Sequence, residues 1–262
     1  MSLSLILIGL LTGAVTGVTG ASGVLIVVPI LTTFFDLPLH VVLGTSLLVD
    51  VIASAVVSYS YFRNKHVQVR SIVWLLVGSL LGSQLGSMFV VSISKILIIF
   101  LLAAGMFYFG VKILRSGITK GEPRIISLPD NVVEFFQTSQ GLIIAGLMIG
   151  LAAGIFGAGG GLAIFIVLYS VLRFPLKNAI GTSAFVMLFS AISGVAGYAE
   201  NGNLDLPLGL TIGISAAVGG AFSSWIGNKI EDKILARIIG AFFIFLAIIM
   251  FVLKVILPLI DL

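Results

Sequence analysis

Residues 4–35 and 139–170 each run 32 positions without a charged side chain, and each is interrupted near its middle by glycine. The first reads VTGVTGASGV at 15–24 and the second AAGIFGAGGG at 152–161. No other feature restricts the fold so tightly. A helix broken inside an apolar layer leaves backbone N–H and C=O groups that lipid cannot satisfy. Such a break must line a polar cavity or be plugged by protein.

The layer itself follows from composition. The chain has 262 residues, 59% of them hydrophobic and 9% charged, with mean hydropathy +1.26. A soluble domain carries roughly 25% charged residues, so this chain cannot cover a water-facing surface. Repeated apolar stretches of about 20 residues predict an all-α polytopic membrane protein. The formal charge of +4 sits in short runs between these stretches and fits loops at a membrane face, not a nucleic-acid surface. With no cysteine, disulfides, thiolate chemistry and cysteine-ligated metals are excluded. The two histidines, His40 and His66, are separated by an apolar stretch, so neither a metal centre nor a cofactor is expected, and no enzymatic constellation is found. GAGGG is not followed by Lys-Ser/Thr and lies outside any βαβ context, so it is not a nucleotide loop. The first stretch lacks a basic flank and its glycines recur later; it reads as structure, not as a cleaved signal, and no soluble domain is expected.

Displaced by 137 residues, the chain matches itself without a gap. Gly13, Gly17, Gly20 and Gly23 fall on Gly150, Gly154, Gly157 and Gly160; Pro38 falls on Pro175, Gly44-Thr45-Ser46 on Gly181-Thr182-Ser183, and Tyr61 on Tyr198. Leu and Val coincide by chance in apolar sequence, whereas glycine, proline and GTS together do not, so an internal repeat is predicted. The expected units are a first repeat over 1–115, a cytoplasmic connector over 116–137 and a second repeat over 138–262. Each repeat would hold one glycine-broken stretch and three continuous spans. VVEFFQ at 132–137 suits a short helix at the membrane interface.

Charge decides the relative orientation. If every stretch were a span, eight Lys/Arg would face one side and six the other. If each broken stretch is instead a hairpin that enters and leaves on one side, the repeats are inverted. Arg63, Lys65, Arg70, Lys112, Arg115, Lys120, Arg124, Arg173, Lys177, Lys229, Lys233 and Arg237 then share one face, with only Lys95 and Lys254 opposite. The rich face is cytoplasmic by the positive-inside rule, which puts both termini outside an inner (plasma) membrane. Helices over 4–17 and 24–35 would be about 21 Å and 18 Å long at 1.5 Å per residue. Each is too short for a core of about 30 Å but long enough to reach its middle. Inverted repeats with interrupted helices are a transporter architecture.

The glycine runs are the primary site candidates. A half-helix N-terminus aims N–H groups and a partial positive charge at the break, which suits an anion. Gly20, Ser22 and Gly23 would supply one half of such a site, and Gly157, Gly159, Gly160 and Gly161 the other. Gly13-x3-Gly17 and Gly150-x3-Gly154 have the spacing of close helix packing. Thr45, Ser46, Thr182 and Ser183 either donate to the anion or bond to their own helix carbonyls. Asp50, deep in an apolar span, is costly there and is by default a functional residue; its repeat partner is Met187. It is either a proton carrier or a structural carboxyl paired with a neighbour such as Gln84. Arg173, Lys177 and His40 flank the span mouths, as anion attractors or as ordinary topology charges. The partners expected are a small anion, protons and the lipid bilayer, with a homo-oligomer left open.

GVTGASGVLIVVPIL at 17–31 and GIFGAGGGLAIFIVLY at 154–169, each followed by LPLHVVLGTS or FPLKNAIGTS, resemble the TauE/SafE family of small membrane transporters. The resemblance covers essentially the whole chain. It implies export of sulfite, organosulfonates or related sulfur anions, driven by the proton gradient, and functional weight for Gly20, Gly23, Gly157, Gly159 and Gly160. The residues themselves specify only a small anion; a carboxylate transporter and an anion channel both fit them.

Overall fold

The computed structural model describes residues 2–35, 37–88, 95–116, 130–156 and 160–252. Among these the chain forms eleven α-helices and no strand. They are α1 (Ser2–Thr19), α2 (Val24–Phe34), α3 (Leu39–Arg63), α4 (Val73–Met88), α5 (Lys95–Ser116), α6 (Asp130–Gln137), α7 (Ser139–Phe156), α8 (Gly161–Ile166), α9 (Leu176–Glu200), α10 (Leu206–Lys229) and α11 (Asp232–Phe251). A π-helical turn over Val167–Val171 continues α8.

Local sequence sets these boundaries. Pro38 and Pro175 stand immediately before α3 and α9, where a missing N–H costs nothing and a fixed φ starts the helix. Asp205 caps α10 by accepting from the Leu208 N–H at 3.0 Å, with Pro207 in the first turn. The expected short helix at 132–137 is present as α6, and its axis turns 86° from that of α7. α3, α9 and α10, at 25, 25 and 24 residues, are long and apolar enough to cross a membrane. Together these helices make an all-α polytopic membrane fold.

Helix packing rests on small residues. α1 runs parallel to α10: Gly9 faces Ile212 and Ser215, Gly13 faces Ala216 and Gly220, and Gly17 faces Ser223. α4 runs parallel to α7 in the same manner, with Gly78, Gly82 and Gly86 interleaved against Gly146, Gly150 and Gly154. Glycine every fourth residue makes a flat seam on which backbones meet, the usual source of helix association in lipid. Ser223 adds a hydrogen bond to the Gly13 carbonyl at 3.3 Å. The outer glycines therefore pack, as their spacing indicated.

α3 and α9 cross antiparallel at the centre. The Tyr198 side chain covers Gly44 near the start of α3, and Tyr61 covers Gly181 near the start of α9. Both tyrosines are buried, and each phenol donates to a backbone carbonyl: Tyr61 to Gly17 at 3.0 Å, Tyr198 to Gly154 at 3.1 Å. These pairs are 137 positions apart, donor and acceptor alike. Lys65 and Gly202, also 137 apart, share a left-handed backbone with φ of 60° and 69° just past the ends of α3 and α9.

A side chain at the seam has nowhere to go. A Cβ at Gly150 would collide with the Ser79 carbonyl and crowd the Ser83 amide at 2.8 Å, whereas one at Gly105 of α5 meets no atom within 4 Å. Gly150→Ala should cost about 1–3 kcal/mol by overpacking. Gly105→Ala should raise stability by up to about 1 kcal/mol, since alanine is the better helix former and the space is open. Thermal unfolding of the purified variants in detergent measures both.

Candidate functional site at the paired helix breaks

Gly20 begins the first break. Its N–H still donates to the Thr16 carbonyl at 2.8 Å, but its φ of 65° is left-handed and turns the chain out of the α1 axis. Gly23 then lies against Thr12 and Thr16, so α2 starts beside the body of α1. Three N–H groups in this turn are accepted by side-chain oxygens. Ala21 donates to Thr19 Oγ1 at 3.0 Å, Val24 to Ser22 Oγ at 3.1 Å, and Gly23 to Asp50 Oδ1 at 3.0 Å. The second carboxylate oxygen of Asp50 accepts from the Ser22 hydroxyl. Ala21, Ser22 and Asp50 are all buried.

The second break lies against the first. Gly161 opens α8 so close to the first turn that a Cβ there would sit 2.8 Å from the Gly20 carbonyl oxygen and 2.9 Å from the Ser22 amide. The Met187 thioether fills the side facing α9. Ser183 spans the two halves, donating to the Gly20 carbonyl at 3.1 Å and sharing that hydrogen with the Ile180 carbonyl at 2.9 Å. Gly20, Ser22, Gly23, Asp50, Gly161 and Ser183 thus converge at the buried centre.

Other candidates lie elsewhere or serve another purpose. Gly160 is left-handed with φ 74°, and the space a Cβ would take is lined by Ile149, Ala153 and Ile164. The left-handed φ serves the turn, and a side chain at this position would face apolar neighbours. Gly157 and Gly159 lie outside the described residues. Thr45 and Thr182 do not reach the breaks. Thr45 Oγ1 accepts from the Asp205 N–H at 3.0 Å and Thr182 Oγ1 from the Gln68 N–H at 3.1 Å, so each ties down the loop at the far end of the opposing helix. Helix geometry explains the split within GTS: neighbouring residues are rotated by about 100°, so Ser183 points to the break while Thr182 points away. Ser46 donates to the Leu43 carbonyl of its own helix at 2.7 Å.

Asp50 does not pair with Gln84, which accepts from Ser193 at 3.4 Å on the far side of α9. Neither α1 nor α2 carries a charged residue, so no cation from them approaches the carboxylate. Lys177 is occupied at the surface by the Asn228 carbonyl at 3.1 Å and Asp232 at 3.6 Å. Sequence reasoning missed Thr12 and Met187. Thr12 resembles any membrane-helix threonine, and only its fold-back contact with Gly23 marks it; Met187 was visible solely as the partner of Asp50.

Buried polar groups at paired helix breaks, in a bundle of long apolar helices, define a polytopic membrane transporter. Residues 5–250 match the family described as sulfite exporter TauE/SafE, and the chain belongs to that family. It is 29% identical over 231 residues to a probable membrane transporter protein, YdhB, of Bacillus subtilis, covering 87% of this chain and 89% of that one. A second Bacillus subtilis protein, the probable membrane transporter YunE, is 27% identical over 254 residues, covering 89% and 91%. A probable membrane transporter of Methanocaldococcus jannaschii is 33% identical over 117 residues, covering 42% and 44%. No solved structure matches the chain. The family consists of transporters, not enzymes, and no group of three or more His, Cys, Asp or Glu able to hold a metal occurs among the described residues.

The contact between breaks can be probed without a substrate. Gly161→Ala would press a methyl onto Met187, Gly20 and Ser22 at once, and should cost about 1–3 kcal/mol. Measured against Met187→Ala alone, the Gly161→Ala penalty should shrink only in part, because two of the three obstacles are backbone. Gly160→Ala should cost about 1–2 kcal/mol for its left-handed φ. Melting curves for the three single variants and the double variant test the assignment.

Proposed function

We propose that the chain is a secondary transporter that moves a small anion by alternating access. The observation that carries this reading is the meeting of the two breaks, Gly161 against Gly20 and Ser22, in the buried centre of the fold. A transporter needs one polar point reachable in turn from either side, and broken helices at the middle of the layer supply it. The family description, sulfite exporter, points to sulfite as the cargo and to export; an organosulfonate or related sulfur anion is the wider class that the sequence resemblance implies. A small carboxylate presents similar oxygens and is the alternative cargo.

The halves 1–115 and 138–262 are read as inverted repeats, with 116–137 as a cytoplasmic connector. Each half contributes a hairpin and three spans. The antiparallel crossing of α3 and α9 supports this, because equivalent spans of parallel repeats would run the same way. The substrate-facing set is Gly20, Ser22, Gly23, Gly161 and Ser183, with Gly157 and Gly159 kept from the sequence reading. Asp50 is the proton-coupling residue: it is buried, lacks a cation on α1 and α2, and holds the first turn through Ser22 and Gly23.

Two experiments test these readings. In proteoliposomes, unlabelled sulfite or sulfoacetate inside should accelerate uptake of labelled substrate at zero potential; uptake without that acceleration identifies an anion channel. Asp50→Asn should abolish pH-driven accumulation and retain downhill exchange, whereas unchanged accumulation removes the coupling role. For topology, single cysteines at residues 66 and 174 should label from the cytoplasm and those at 37 and 202 from outside. Labelling of 37 and 174 from the same side overturns the inversion.

A further inference from the structure

The helices in closest contact come from different halves of the chain. α1 lies on α10 along its glycines, and α10 lies on α3, where Gly209, Gly213 and Gly220 face Leu48, Ile52 and Val57. The Tyr61 phenol fastens α3 to the end of α1. On the other side α4 lies on α7, and two serines tie α4 to α9. Ser83 donates to the Ser190 carbonyl at 2.7 Å, and Ser193 to the Leu80 carbonyl at 3.0 Å. Tyr198 fastens α9 to α7. Two bodies result, each with a span taken from the other half: α1, α2, α3 and α10 form one, and α4, α7, α8 and α9 the other. They meet at the breaks and where Leu43 and Leu47 of α3 touch Ala191 and Tyr198 of α9. Apolar contact is non-directional and lets surfaces slide; a polar bond between the bodies has to break before they part.

Lys177, in the first turn of α9, makes such a bond. Its ammonium donates to the Asn228 carbonyl at 3.1 Å and lies 3.6 Å from Asp232 at the start of α11. The carbonyl belongs to the last turn of α10, where a cation is favoured. Asn228 is held within its own body: its side-chain amide donates to the Ser224 carbonyl at 2.9 Å, and its Oδ1 lies 2.7 Å from His66 Nδ1. The group that Lys177 grips is therefore fixed to the other body. The positions 137 residues earlier hold His40 and Lys95, two basic residues that cannot make this ion pair, and His40 is exposed. His40 stands at the start of α3, which is the end opposite to Lys177 because α3 and α9 cross antiparallel.

We infer that Lys177 is the clasp of a one-sided gate: it holds the α9 body to the α3 body at the face where α9 begins, and it releases Asn228 and Asp232 when the meeting point of the breaks opens to that face. This rests on the transport reading for the claim that the bodies part during a cycle; the clasp itself stands on the contacts of Lys177. The opposite face has the same scaffold without the ion pair, so at rest the gate is biased shut on the Lys177 side.

Met187, buried at the meeting of the breaks, is the place for a reporter, and Met187→Cys would give the chain its only thiol. In membrane vesicles of both orientations, a membrane-impermeant maleimide should label this parent slowly from either face. Adding Lys177→Met should raise labelling at least about threefold from the face that reaches a cysteine at residue 174. The rate from the opposite face should not rise. Lys177→Arg, which still reaches both acceptors, should keep the parent rate. Asp232→Asn keeps the shape of its side chain and should give a smaller rise on the same face; it is the second variant if Lys177→Met does not fold. His40→Met should change neither rate. No rise in either variant, or an equal rise from both faces, overturns the clasp, as does a rise in His40→Met. One-sided labelling in a protein without counterflow spares the clasp and sinks the transport reading; counterflow with labelling unchanged sinks the clasp alone.

Discussion

A backbone that stops being helical inside an apolar protein must find its hydrogen bonds among its own side chains, and the rest of this structure is arranged around that requirement. At the first break, Thr19, Ser22 and Asp50 accept the amides of Ala21, Val24 and Gly23, and Ser183 donates to the carbonyl of Gly20. An unmet donor at this depth would cost about 1–3 kcal/mol. The glycine seams of α1 on α10 and α4 on α7 hold the helices that lead into the two breaks by direct backbone contact. The phenols of Tyr61 and Tyr198 then fasten the ends of the broken helices to α3 and α9.

The two breaks are built from different residues. The first break uses a left-handed Gly20, a serine and a buried carboxylate. The second uses a left-handed Gly160, a thioether, and a π-helical turn where the equivalent stretch of α2 is ordinary helix. π-turns insert a residue at a local cost and collect at functional positions. Asp50 at the first break and Met187, 137 positions further on, put a carboxyl on one side of the meeting point and a thioether on the other, a division that identical residues could not make.

Much of this was legible in the sequence, for reasons that can be named. Glycine, proline and GTS at a fixed displacement survive an apolar background because each serves a local geometry, and Gly20, Gly160, Pro38 and Pro175 all do so here. The packing glycines followed from their four-residue spacing. The threonines of GTS were harder: their partners, the amides of Asp205 and Gln68, lie 160 and 114 residues away. Backbone amides leave no mark in a sequence. Gln84 was the wrong partner for Asp50 because distance along a span says nothing about rotation around it. Ser22, the correct one, sat in plain view inside the glycine run.

The seam between α1 and α10 has a consequence for biogenesis. Gly13 and Ser223, which hydrogen-bond across it, are 210 residues apart. At about 5–20 residues per second, synthesis separates the two helices by roughly 10–40 s. Throughout that interval α1 shows its flat glycine face without the surface made to cover it. The nascent chain must shelter this face against lipid or the insertion machinery, and α1 takes its final place only after α10 has been made.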